Sequence, residues 1–108
     1  MNSLALAIRP PQPVEGMRYV YILLCAGNHF YVGSAIDVAE RFWEHCAGKG
    51  ARQTRIYPPL RIAYVEGPFD PELAIRRESQ LKRWSRAKKE ALVRCDRDTL
   101  RRLSRSRD

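Results

Sequence analysis

The sequence predicts an α/β chain of the α+β kind, a small sheet of three strands covered by helices. Three observations carry that prediction. Residues 19–33 place two apolar, aromatic and β-branched runs on either side of a short Ala-Gly-Asn turn, the pattern of a β-hairpin. Two later stretches open on acidic caps, Asp37 and Asp70, and continue with apolar residues at helical spacing. The 108 residues supply one modest core and therefore one domain.

The length of the hairpin loop decides which tyrosines share a face, because side chains alternate along a strand. A two-residue loop puts Tyr21 and Tyr31 on opposite faces. A three-residue loop, with a type I turn and Asn28 in the left-handed region, pairs Cys25 with His29, Leu23 with Tyr31 and Tyr21 with Gly33. Both phenols then emerge on one face. The second geometry is preferred because Asn tolerates positive φ, and Gly33 then leaves space over Tyr21 for a ligand.

The remaining elements follow in order. Residues 1–16 carry Pro10, Pro11 and Pro13 without periodicity and read as a mobile N-terminal arm. After the hairpin, Asp37 to Ala47 reads as a helix opened by a capping box (Asp37, Glu40) and ended by Gly48. Its apolar stripe is Val38, Ala39, Phe42, Trp43 and Cys46, with Arg41 and His45 along one edge. Residues 48–59 read as a basic loop with two prolines and without the spacing of a nucleotide-binding P-loop. Leu60 to Glu66 is a third strand. Asp70-Pro71-Glu72 opens a second helix that runs to about Trp84, buries Leu73, Ala74, Leu81 and Trp84, and carries Glu78 beside Ala74. Ser85 recaps the chain before a helix from Arg86 to Arg94, and residues 97–104 form another. The domain thus spans 17–95, and 96–108 is a basic C-terminal helix and tail.

A formal charge of +8 points to a polyanionic partner, nucleic acid rather than membrane. No apolar run approaches the roughly 20 residues of a spanning helix, and Leu4 to Ile8 is too short for a signal-peptide core. Cys25, Cys46 and Cys95 show no zinc-type spacing and read as reduced thiols of a cytoplasmic protein, the first two packed in the core.

Tyr19-Val20-Tyr21 followed by Tyr31-Val32-Gly33 resembles the paired signature of the GIY-YIG nuclease superfamily, with Val for Ile in both halves and Tyr19 for the first Gly. The resemblance extends through Arg41, His45, Gly48-Lys49-Gly50-Ala51, Glu78 and the run from Leu81 to Leu92. It covers about Tyr19 to Val93 and looks like the small stand-alone bacterial branch. It implies a three-stranded antiparallel sheet flanked by helices, and metal-dependent cleavage of nucleic-acid phosphodiesters. One departure stands out: Ser34 occupies the position after the second motif where many relatives carry Lys.

Phosphodiester hydrolysis needs a deprotonated water, neutralisation of charge on the phosphate and help for a departing alkoxide. Magnesium or manganese uses one or two carboxylates with water and substrate oxygens, so one Glu suffices. Glu78 is assigned as ligand of one divalent ion and Arg41 as the clamp on the scissile phosphate. Tyr21 is the candidate general base, as mechanisms proposed for the family imply, and His45 is its rival because imidazole titrates near neutrality. Tyr31 orients the nucleophile or phosphate. Each of these five also has a packing or surface-pair reading. Lys49, Arg52, Arg55, Lys82, Arg83 and Lys88 form the expected nucleic-acid track, and Trp84 reads as core.

The leading expectation is a metal-dependent DNA endonuclease of repair or recombination, selective for structure rather than sequence. DNA is favoured over RNA. The alternatives are a binding module that does not cut and an interaction domain whose charge merely keeps it in solution.

Overall fold

A computed structural model describes residues 8–105. The sheet is antiparallel in the order β2-β1-β3, built from β1 (Arg18–Cys25), β2 (His29–Ala35) and β3 (Pro59–Phe69). Among the described residues five α-helices surround it: α1 (Val38–Cys46), α2 (Arg52–Ile56), α3 (Pro71–Arg83), α4 (Arg86–Val93) and α5 (Arg97–Arg105). The expected α+β fold is therefore observed.

β1 reads as an almost unbroken apolar run because it lies in the middle of the sheet with both faces covered. Tyr19, Tyr21, Leu23 and Cys25 face α1 and pack with Val38, Phe42 and Ile62. Val20 and Ile22 face the opposite way, onto Ala74 and Leu81 of α3 and Leu92 of α4. Three layers result, with a thin apolar seam on each side of the sheet.

The hairpin adopts the expected register, with Cys25 opposite His29, Leu23 opposite Tyr31 and Tyr21 opposite Gly33. The turn itself differs. Both Gly27 (φ 73°) and Asn28 (φ 63°) are left-handed, whereas only Asn28 was expected to be. Gly27 suits this left-handed position, where a Cβ would also press on the His29 ring at 3.0 Å.

The helix caps are those the sequence announces. The carboxylates of Asp37 and Asp70 accept from Glu40 N and Leu73 N, and the Ser85 hydroxyl accepts from Lys88 N. Helix α1 ends in a Schellman motif: Gly48 N donates to His45 O, Lys49 N donates to Glu44 O, and Gly48 has φ 78°.

Several expectations are corrected. The basic segment 48–59 is not all loop, since Arg52–Ile56 forms α2. Trp43 (69% exposed) and Cys46 lie outside the core, and the buried polar residue of α1 is His45. The helical stripe turns toward the sheet at Val38, Phe42 and His45, so its far edge meets water. Leu73 is exposed for a similar reason, being on the outer side of the first turn of α3. Within the expected N-terminal arm, Ile8 packs on the tyrosine face of the sheet and Gln12 O accepts from the Tyr19 hydroxyl at 3.0 Å. Residues 1–7 of that arm, and the last three residues of the C-terminal tail, lie outside the described residues.

Candidate active site

The site begins at Gly33. Opposite it on β1, the Tyr21 ring lies across the strand so closely that a Cβ on Gly33 would be 2.6 Å from the phenol oxygen. The space the glycine provides is thus filled by the phenol, not left open for a ligand. Its effect is to carry the Tyr21 hydroxyl over β2, an edge strand, toward His45 of α1. Tyr31 stands diagonally on the same face, its ring centroid 6.5 Å from that of Tyr21.

From α1, His45 reaches both rings. Its Nε2 lies 2.9 Å from the Tyr21 hydroxyl, and its ring centroid is 5.1 Å from that of Tyr31. The other nitrogen, Nδ1, lies 2.8 Å from Thr54 Oγ1. The tautomer follows from Thr54: its one hydroxyl proton goes to Ala51 O at 2.8 Å, so its oxygen accepts from His45 Nδ1–H. Nε2 is then a lone-pair acceptor and the Tyr21 O–H donates to it. The chain Tyr21, His45, Thr54, Ala51 O is fully satisfied and buried, which fixes each member in one rotamer.

Charge and burial agree with this arrangement. Burial, and then the Arg41 cation, push the His45 pKa below its ordinary value, so the ring is neutral near pH 7. Burial pushes the Tyr21 pKa well up, Tyr31 and Glu78 add to the rise, and Arg41 opposes it. Tyr21 is therefore a protonated phenol. It holds a donor bond to a neutral imidazole and faces a guanidinium.

The loop after α1 keeps His45 in place. Gly50 lies directly on the imidazole, where a Cβ would stand 2.1 Å from Nδ1. Only a residue without a side chain permits that approach. Thr54 projects from α2, the helix missing from the sequence reading, and is buried. Spacing alone gives no signal for it, since a Thr in a basic stretch is unremarkable until α2 turns it inward.

Glu78 comes from the other side of the sheet. On α3 it meets the edge of β2, where Ser34 Oγ donates to its Oε1 at 2.8 Å. Arg18 donates in turn to the Ser34 carbonyl at 3.2 Å. Lys82, one turn along α3, places Nζ 2.9 Å from Glu78 Oε2. Glu78 holds the Lys82 ammonium above its ordinary pKa, chiefly through this bond. Tyr21, Tyr31 and His45 are in mutual contact on one side of β2, and Glu78 meets the same strand at Ser34 from the other. Glu78 thus approaches β2 from the α3 side of the sheet, whereas the phenols of Tyr21 and Tyr31 share the α1 side.

Arg41 donates from Nη1 to Glu44 Oε1 at 2.9 Å, a half-exposed pair within one helical turn. Such a pair contributes little and leaves the guanidinium able to exchange partners.

No group of three His, Cys, Asp or Glu side chains that could cage a metal occurs among the described residues. The Glu78 carboxylate nevertheless suits a hard divalent ion. Each oxygen has two lone pairs and each spends one here, on Ser34 or Lys82. A second lone pair remains on each oxygen for an ion that draws its other ligands from water and substrate.

The expected nucleic-acid residues separate. Lys82 belongs to the site itself. Lys49, Arg52, Arg55 and Arg83 are exposed. Lys88 is 7% exposed, with Nζ 4.5 Å from the centroid of the Trp84 ring, so its charge is turned inward against an aromatic face. Trp84 itself packs on the α3 side of the core.

The GIY-YIG catalytic domain profile matches residues 17–91. The chain is similar to a UPF0213 protein of Natronomonas pharaonis, 43% identical over 75 residues that make up 69% of this chain and 88% of that one. It is similar also to a UPF0213 protein of Cupriavidus pinatubonensis, 46% identical over 77 residues, 70% of this chain and 84% of that one. A solution NMR structure of a UPF0213 protein from Bacillus halodurans is 40% identical, covering 73% of this chain and 84% of that one, with a TM-score of 0.48. No helix among the described residues is long and apolar enough to cross a membrane.

Proposed function

The chain belongs to the GIY-YIG catalytic domain family, and from that membership we propose that it is an endonuclease hydrolysing phosphodiester bonds in DNA. The reading extends to selectivity for structure rather than sequence, a role in DNA repair or recombination, dependence on one Mg2+ or Mn2+, and a cytoplasmic location. A nuclease-type function is what the family itself suggests; the single divalent ion rests on Glu78, and the location on three free cysteines.

The observation that carries the reading is the donor bond from Tyr21 to His45 Nε2. A buried phenol with a raised pKa is a poor base alone. Coupled to a neutral imidazole it becomes a relay. As water attacks phosphorus, its proton passes to Tyr21 Oη while the Tyr21 proton passes to His45 Nε2. The new P–O bond forms, the bond to the leaving oxygen breaks, and that oxygen takes a proton from solvent. His45 Nδ1–H stays on Thr54, which orients the imidazolium. On this reading Tyr21 and His45 act as base in series rather than as rivals.

Arg41 exchanges Glu44 for the non-bridging oxygens of the phosphate, and its planar fork suits two of them. Tyr31, on the same face, hydrogen-bonds water or phosphate. Glu78 would hold the divalent ion, which supplies Lewis-acid stabilisation of charge on the phosphate. Ser34, in place of the Lys of many relatives, anchors that carboxylate, while Lys82 supplies a cation from α3.

The test is a labelled-DNA cleavage assay with Mg2+ on the parent protein and on Glu78→Ala. The reading expects cutting by the parent and none by the variant. Undiminished cutting by Glu78→Ala would reject the ligand assignment. A second reading, a module that binds nucleic acid without cutting, is favoured by the Glu78–Lys82 ion pair, which neutralises the carboxylate. Tight binding without cleavage would select it.

A further inference from the structure

Two cations stand near Glu78, and only Lys82 is paired with it. The other is Arg18, which opens β1 two residues before Val20, the residue opposite Ser34. Alternation along the strand puts Arg18 on the same side of the sheet as Val20, the α3 side, and diagonal to Ser34, a separation that a long side chain spans. Its Nη2 donates to Ser34 O at 3.2 Å and lies 3.5 Å from Ser34 Oγ, the oxygen whose own proton goes to Glu78 Oε1. The guanidinium is thus at most two hydrogen-bond lengths from the carboxylate, with no ion pair to it. Among the described residues Arg18 has no acidic partner, and its Nε–H and Nη1 protons enter no hydrogen bond. The Ser34 carbonyl fixes the side chain but, being neutral, leaves its charge uncompensated. Arg41 differs in this respect, since it must first release Glu44.

We infer that Arg18 is a substrate-binding residue, holding a backbone phosphate of the nucleic acid on the Glu78 side of β2. The inference rests on the nuclease reading for calling the bound strand a substrate. A half-buried guanidinium fixed at one nitrogen, with its other donors unspent, is preorganised for an anion that offers several acceptor oxygens. The chain's charge of +8 selects a polyanion as the source of that anion. Because Arg18 has no acid to exchange, its contact forms on binding and persists unchanged through the reaction. Such a contact lowers KM without raising kcat.

The test measures binding of a labelled 20-base-pair DNA duplex with a single-stranded flap, across a salt series and with EDTA present, and then KM and kcat with Mg2+. The proteins are the parent, Arg18→Gln, Arg18→Lys, and Arg101→Gln, which removes the same charge from exposed α5. Arg18→Gln is expected to bind roughly 5-fold or more weakly, with the slope of log K against log salt shallower by about 0.9, the value for one lost phosphate contact on duplex DNA. Arg18→Lys should keep the parent slope and most of the affinity, and Arg101→Gln should change affinity little. With Mg2+, Arg18→Gln should raise KM by more than it lowers kcat. Parent-like affinity or slope in Arg18→Gln, equal losses in Arg18→Gln and Arg101→Gln, a fall confined to kcat, or no binding by the parent would each overturn the contact. Cutting by the parent leaves the nuclease reading intact in all of these cases. A parent that binds without cutting removes that reading, and the expected losses with EDTA then still support the Arg18 contact.

Discussion

The Tyr21 hydroxyl donates to His45 Nε2 at 2.9 Å, and this bond joins the central strand of the sheet to α1 through two side chains with no water between them. The proton needs of the two residues are opposite and complementary. Burial opposes ionisation of each, upward for the phenol and downward for the imidazole. A proton shared along the bond leaves neither exposed to that cost in the resting protein.

The pH dependence follows with a definite sign. His45 must be neutral to accept a proton, and its pKa in the fold lies below the ordinary value of about 6.5. The acid limb of the cleavage rate is therefore expected below pH 6.5. The unfolded chain binds this proton more readily than the folded one, so stability is full above pH 6.5 and is lost as pH falls through the folded pKa. Melting temperatures between about pH 6.5 and 5 should fall for the parent and fall less for His45→Gln. An acid limb above pH 6.5 would count against a neutral His45.

Two glycines of one loop should behave differently. Gly50→Ala places a methyl 2.1 Å from His45 Nδ1, and the ring cannot retreat because both nitrogens are bonded. A loss of about 2–3 kcal/mol of stability and of most cleavage is expected. Gly48→Ala meets nothing within 4 Å and suffers only from its φ of 78°, a cost of about 1 kcal/mol with cleavage retained in the folded protein. Thermal melts and rates on both variants check the contrast.

Ser34 should matter through Glu78. Ser34→Ala removes the donor on Oε1, and groups that orient a metal ligand typically change ion affinity by about 10-fold or more. The Mg2+ concentration for half-maximal cleavage should rise by about that factor, with under about 1.5 kcal/mol lost from the fold. An unchanged Mg2+ requirement would dismiss Ser34 as an anchor.

Much of this was legible in the sequence, for physical reasons. The hairpin register followed from strand periodicity and a three-residue loop, and the helix starts from Asp37, Asp70 and Ser85, because caps and alternation are local. What was not legible depends on packing between distant segments. Thr54 shows itself only when α2 folds against α1. Gly33 reads as a gap until the phenol opposite it lies down. Ser34, seen in sequence as a lost cation, gains a role only when α3 brings Glu78 to the edge strand, with Lys82 one turn further on. The surplus charge of the chain gave no sign that Lys88 would turn inward onto Trp84.

The most direct test of the account is a double-mutant cycle on cleavage using Tyr21→Phe, His45→Gln and the two together, at saturating Mg2+ and DNA. If water loses its proton through both residues in series, each single variant should lose roughly 10²–10⁴-fold in rate, and the double variant should be no slower than the slower single one. Losses that multiply would show two independent contributions and contradict the relay.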